Sequence, residues 1–171
     1  MQYRRAERSI FKLLFLINKF LSKAKKQKNF QPIFHLWIKP NFSEATHWIF
    51  YNPAQQLNPQ PDPKILKISW DRKNDMGRFT SADLSELEPN FIIDIRDITW
   101  ISFKSILEKL RSIEIPLFQS GEFFGRDGDT FGAETFGIQN TKIVWHKEIS
   151  DEWKKLHEVF LETENILRNL F

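Results

Sequence analysis

Two periodicities run through this chain of 171 residues. A period of two, which sends successive side chains to opposite faces of a strand, marks several short segments in the first two thirds. Residues 33–39 place Phe34, Leu36 and Ile38 on one face and His35, Trp37 and Lys39 on the other. Residues 46–51 are equally rich in Trp, Phe and Ile, and the intervening 40–44 (PNFSE) makes the two segments an antiparallel pair. Residues 64–71 put Leu66, Ile68 and Trp70 opposite Lys67 and Ser69. In residues 91–99, Phe91, Ile93 and Ile95 are expected to face the core, with Asp94 and Arg96 on the other side.

A period near 3.6 marks three helices. Over residues 3–28, Ile10, Leu13, Leu14, Ile17, Phe20 and Leu21 share a face opposite Lys12, Lys19 and Lys23. Residues 102–113 turn Phe103, Ile106, Leu107, Leu110 and Ile113 inward, with Pro116 as the stop. From Ser150, a plausible N-cap, the stripe Trp153, Leu156, Val159, Phe160, Ile166, Leu167, Leu170 and Phe171 predicts a docked helix. A shorter helical turn is expected over 80–87.

Between the last two helices lies the strongest turn signal. Asp127-Gly128 separates two Phe-rich runs, and a two-residue hairpin turn needs positive φ at both central positions. On that register Arg126 faces Asp129 and Phe124 faces Phe131. A second reversal over 137–140 brings back 141–146, which sets His146 opposite Phe131 and Gly132 between Phe123 and Trp145, leaving room for the indole. The sum is an α+β fold: a single antiparallel sheet of about seven short strands, covered by three main helices, in one domain over 1–171. The Pro-rich 53–63 reads as an internal loop.

Composition changes this picture in two ways. The absence of cysteine excludes disulfides, thiolate nucleophiles and Cys-ligated metal, and is compatible with a reducing cytoplasm. The net charge of +3 conceals a division. Residues 1–28 hold nine Lys or Arg against one Glu, a charge of +8, and the remainder holds sixteen basic against twenty-one acidic groups, a charge of −5. The basic character therefore belongs to one segment, whose surface includes Arg4, Arg5, Arg8, Lys19, Lys23, Lys25 and Lys26. That segment fits a core-packing helix with a solvated end first, then a helix on an anionic membrane surface, then an arm for nucleic acid or a partner. Its apolar centre is too short to span a bilayer, and no small-residue cleavage site follows it.

Motifs for nucleotide binding and for the esterase elbow are absent, and Asp127 to Ile138 lacks the oxygen ligands of a calcium loop at its fifth and twelfth positions. His35 and His47 are expected to be neighbours across their strands, but a zinc site needs a third ligand. No catalytic residue, metal or cofactor is assigned. The densest polar group is Arg126, Asp127, Asp129, Thr130, Glu134 and His146, which with Trp145 forms the candidate partner-binding set. Six Trp and 17 Phe point to an aromatic surface patch suited to a protein partner.

The run Arg126-Asp127-Gly128-Asp129-Thr130-Phe131, Gly137, Trp145 and Asp151-Glu152-Trp153 before an amphipathic helix resembles a diffuse group of mostly uncharacterised bacterial proteins. These carry a "DGTTY-E" hairpin, a Trp strand and a C-terminal helix, and some are similar to immunity proteins of contact-dependent toxin systems. The resemblance covers about the last 50 residues, and departs at Asp129 and at Gly132-Ala133. It implies a bacterial, cytoplasmic protein that binds another protein, and the first hypothesis is a non-enzymatic interaction module. The alternative is electrostatic binding of nucleic acid or an anionic membrane surface through residues 1–28.

Overall fold

The computed structural model describes residues 30–40, 45–54, 59–71, 90–112, 128–137, 141–146 and 151–171. They form strands β1 (Phe30–Lys39), β2 (Thr46–Pro53), β3 (Lys64–Trp70) and β4 (Phe91–Asp97), helix α1 (Trp100–Arg111), strands β5 (Thr130–Thr135) and β6 (Lys142–His146), and helix α2 (Asp151–Leu170). All neighbouring strands are antiparallel, in one sheet of order β4-β3-β2-β1-β5-β6. The fold is α+β with a single antiparallel sheet. Six strands and two helices stand among the described residues, where the periodicities suggest about seven and three. The basic helix over 3–28, the helical turn over 80–87 and the hairpin limb before Asp127 lie outside them.

β1 to β4 form a meander on one side of β1, and the β5–β6 hairpin completes the sheet on the other. β1 carries Ile33 as an extra residue where the register shifts between Pro32 and Phe34. Proline has no N–H for the ladder, which makes a bulge beside Pro32 a natural accommodation. The carbonyl of Ile33 instead accepts from the backbone N–H of Phe136, at 3.1 Å.

Alternation then builds two apolar clusters. On one face Leu36, Ile38, Trp48, Phe50, Ile65, Phe131 and Trp145 meet Phe103 and Ile106 of α1 and Leu156, Phe160 and Leu167 of α2. Phe160 stands edge-on to both Phe131 and Trp145, ring centroids 5.2 and 5.3 Å away. On the opposite face Ile49, Tyr51, Leu66 and Ile68 form a second buried cluster, to which neither described helix contributes. The middle strands are thus buried on both sides.

Each helix departs from its sequence reading in an instructive place. Thr99 caps α1 by accepting from the N–H of Ser102, so the helix begins at Trp100 and β4 ends at Asp97, two residues short of the expected strand. The α2 stripe passes through Thr163 and Glu164, both buried, while Ile166 is exposed. Thr163 satisfies its hydroxyl by donating to the carbonyl of Val159 at 2.8 Å, and Arg168 holds the Glu164 carboxylate at 2.7 Å. The last turn docks as expected. Phe171 lies under the cations of Lys67 and Arg96, 5.4 and 5.5 Å from its ring centroid.

The tryptophans do not form the expected surface patch. Trp37, Trp48 and Trp145 are buried, and Trp70, Trp100 and Trp153 are partly so. A sheet with two buried faces has interior positions on both sides of each strand, which accommodates more large rings than a one-sided core. Phe160→Ala should remove the ring that joins Phe131 to Trp145 and cost about 3–5 kcal/mol. The check is a fall in the urea midpoint with an unchanged slope.

Candidate functional site

The polar centre of the molecule lies on the second face, where β2, β1, β5 and β6 run side by side. Trp37 is opposite His47 across the β1–β2 ladder, and His35 is opposite Glu134 across β1–β5. His47 is therefore the diagonal neighbour of His35, within reach of a ring. The Nε2 of His35 and the Nδ1 of His47 are 2.9 Å apart, and the rings stack with centroids at 5.1 Å. The Nδ1 of His35 is 3.5 Å from Oε2 of Glu134. A chain of contacts thus runs Glu134, His35, His47 from a partly exposed carboxylate to a fully enclosed imidazole. The expected neighbourhood of the two histidines is present.

Trp37 closes this arrangement. Its ring lies 4.8 Å from that of His35, and the Lys142 ammonium sits 5.4 Å from its centroid. The indole occupies the space over Gly132. A Cβ added there would stand 1.9 Å from Trp37 Cζ2. Gly132 does make room for an indole, but for Trp37 and not for Trp145. The reason is a one-residue difference in hairpin register. Thr135 donates its backbone N–H to the Thr141 carbonyl at 2.9 Å, and its hydroxyl accepts the Thr141 N–H at 3.0 Å, closing a loop one residue longer than expected. Phe131 then pairs with Trp145, Gly132 with Val144, and Thr130, not Phe131, with His146.

Hydrogen-bond chemistry fixes the tautomers. An ionised carboxylate only accepts, so His35 presents Nδ1–H to Glu134 and its Nε2 accepts from Nδ1–H of His47. The Nε2 of His47 is then a bare lone pair, buried with no hydrogen-bond partner. Burial holds both imidazoles below the ordinary histidine range. For His35 the Glu134 hydrogen bond and charge oppose burial without overcoming it, and for His47 the field of His35 and Lys39 adds to it. Glu134 is held below the usual carboxylate range, first by its hydrogen bond to His35. The His35–Glu134 contact is accordingly a hydrogen bond from a neutral ring, not an ion pair, at neutral pH. Burial likewise raises the Tyr51 phenol.

The candidate partner-binding set is divided among different places. Thr130 and His146 meet at one end of β5, hydroxyl to Nδ1 3.3 Å. Glu134 is four residues along the same strand, roughly 13 Å away, and turned to His35. Trp145 is buried on the opposite face, where its Nε1–H donates to Nδ1 of His157 at 3.3 Å. It contributes to the core, not to a surface. Asp129 lies just ahead of β5, partly buried. Arg126 and Asp127 lie outside the described residues, as do Arg4, Arg5, Arg8, Lys19, Lys23, Lys25 and Lys26. A hydroxyl beside an imidazole is half of a nucleophile–base pair, but Glu134, the carboxylate further along the same face of β5, serves another histidine. No group of three or more His, Cys, Asp or Glu among the described residues could hold a metal ion. None of the described helices is long and apolar enough to cross a membrane. The residues that sequence reasoning left out of the set are His35, Trp37, His47 and Lys142. The nearness of His35 and His47 follows from pairing β1 with β2, but the approach of Glu134 and Lys142 depends on β1 lying between β2 and β5, which no local pattern reveals.

Two outcomes follow from this geometry. Gly132→Ala should destabilise the fold by about 1–3 kcal/mol through overpacking against Trp37, whereas Gly128→Ala should be near neutral, because Gly128 has nothing within 4 Å and does not adopt the positive φ expected of a two-residue turn. Comparison of their denaturation midpoints is the check. The second outcome concerns pH. Both histidine pKa values are lowered on folding, so below about 6.5 the unfolded chain binds protons that the folded chain refuses. Stability is fully present above that value and falls as pH drops towards the folded pKa values, by up to about 1.4 kcal/mol per pH unit for each histidine kept neutral. Glu134 adds a further loss at lower pH, because its depressed folded pKa makes its contribution vanish on protonation. Urea midpoints between pH 7.5 and 5 should fall, and His47→Phe should flatten the slope by one histidine's share.

No family model, curated protein or solved structure matches this chain.

Proposed function

We propose that this protein is a non-enzymatic protein-interaction module, in the manner of an immunity protein or inhibitor, and that it takes its partner along β4. The supporting observation is where apolar surface is exposed. Ile92, Ile93 and Ile95 are 55%, 44% and 44% exposed, and Ile101, just beyond them in the first turn of α1, is 83% exposed. Ile93 and Ile95 share the face of Leu66 and Ile68 but do not enter the core as their alternation predicts, because β4 is at the edge of the described sheet, with β3 beside it on one side only. Their cost of exposure is of order 1 kcal/mol apiece. A partner strand laid along this edge would reduce that exposure and engage backbone groups at the same time. The imidazoles of His35 and His47 are enclosed and the Glu134 carboxylate is turned to them, so this relay serves the sheet rather than a surface.

The division of charge supports a second reading, in which the +8 segment over 1–28 binds nucleic acid or an anionic membrane. The two part company in one experiment. Wild-type and Ile93→Lys/Ile95→Lys proteins, tagged, are recovered from nuclease-treated source lysate and eluted across a salt gradient. The β4 reading expects a stoichiometric protein that survives high salt on the wild type and is lost from the variant. Nucleic acid or lipid alone, released at moderate salt from both proteins equally, would overturn it, since phosphate contacts weaken steeply with salt.

A further inference from the structure

The strand that fits β4 best is β4 itself. We propose that two copies of this chain join edge to edge through antiparallel β4 strands, on a two-fold axis through Ile95. This rests on the reading of β4 as a docking edge and names its occupant.

The orientation of the backbone comes first. The N–H of Ile98 donates to the carbonyl of Pro63, and the N–H of Asp71 donates to the carbonyl of Asn90, both at 2.9 Å. Ile98 and Asn90 therefore occupy hydrogen-bonded positions against β3. In an antiparallel ladder these alternate with positions whose N–H and C=O point the other way. Ile92, Asp94 and Arg96 consequently turn to β3, and Ile93, Ile95 and Asp97 present their backbone groups outward. A two-fold through Ile95 sets its N–H and C=O against those of Ile95 in the second copy, which is the closed hydrogen-bonded pair that antiparallel strands form.

Side chains then select the register. With Ile95 on the axis, Asp94 of each copy lies directly opposite Arg96 of the other, twice over. Both side chains are part-exposed, 42% and 47%; Arg96 lies 3.4 Å from Asp94 within its own strand and over the Phe171 ring, and its exposed part shares a face of the strand with Asp94. Centring the axis on Asp94 would oppose two carboxylates, and centring it on Arg96 would oppose two guanidinium groups. Centring it on Ile93 would place each Asp94 against Ile92 and give Arg96 no carboxylate from the second copy. Exposed ion pairs contribute little stability each, but like charges directly opposed are unfavourable, so the charges decide among registers while the isoleucines supply the burial. On the other face Ile95 meets Ile95, with Ile93 diagonal to it, extending the cluster of Ile49, Leu66 and Ile68 across the axis. Asp97, which falls opposite Ile93 of the second copy, has its carboxylate held by Lys64 of its own sheet.

The chain has no cysteine, so single cysteines report this register directly. Opposed hydrogen-bonded residues have Cα atoms about 5.5 Å apart, within disulfide reach, whereas Ile93 and its counterpart would be staggered by four residues, roughly 13 Å. Purified Ile95→Cys should become a covalent dimer under mild oxidation and Ile93→Cys should not. In sedimentation velocity the wild type should dimerise, Asp94→Arg should raise the dissociation constant about tenfold or more, and Asp94→Arg/Arg96→Asp should restore it. Far-UV circular dichroism confirms that each variant is folded. A wild type that stays monomeric at about 100 µM, a concentration that would populate even a weak dimer, overturns self-pairing. It would leave the docking of a different protein on β4 standing, because that is read from lysate and not from the pure chain. Crosslinking at Ile93 in place of Ile95, or a charge reversal without effect, overturns the register and with it the argument from charge.

Discussion

Strand β1 is the constraint on which the rest of the structure depends. It lies between β2 and β5, and both of its faces are closed. On one side Leu36 and Ile38 enter the core shared with the helices. On the other, His35 and Trp37 face a space in which polar atoms have no water to turn to. A buried imidazole without partners would cost about 1–3 kcal/mol, more if charged. β2 and β5 offer the remedy from opposite sides, His47 from one and Glu134 from the other. The order of strands and the protonation of the site are therefore one problem with one solution.

That solution is directional. Because Glu134 only accepts, each imidazole down the line is set to donate towards it, and the arrangement ends on an unprotonated nitrogen of His47. A proton added at that nitrogen would convert it from acceptor to donor and place a charge under Trp37, whose outer face already lies beneath the Lys142 ammonium. Desolvation opposes that charge, and the fields of His35 and Lys39 add to the opposition. At His35 the carboxylate of Glu134 favours a charge, but from a partly exposed position where solvent weakens its field. Burial prevails in both rings, in keeping with their lowered pKa values.

Much of this was legible in the sequence wherever a local pattern determined the outcome. Alternation assigned the faces of β1 and β3, the His35–His47 proximity followed from pairing two adjacent strands, and the α2 stripe predicted a docked end at Phe171. Legibility failed where the deciding contact was remote. The β5–β6 register turned on a side-chain hydrogen bond at Thr135, and a shift of one residue sufficed to give Gly132 to Trp37 instead of Trp145. Thr163 and Glu164 look like solvent positions until a carbonyl and an arginine within the same helix satisfy them. Trp145 looks like an anchor for a partner until its pairing with Phe131 commits it to the core. The association of Glu134 with β1 needed knowledge of a strand almost a hundred residues away.

β4 is where the sequence pattern and its surroundings disagree. Its isoleucines alternate as they would in a strand with neighbours on both sides, yet among the described strands only β3 adjoins it. Charges on an edge strand ordinarily serve to keep other strands away. For that purpose a row of one sign is effective against any copy of itself, in any register. Asp94, Arg96 and Asp97 instead alternate in sign, and a strand with that pattern repels itself in some registers and attracts in others. Alternating charge beside exposed isoleucine is thus a poor guard and a serviceable address, and that physical distinction separates an edge that excludes other strands from one that selects its own.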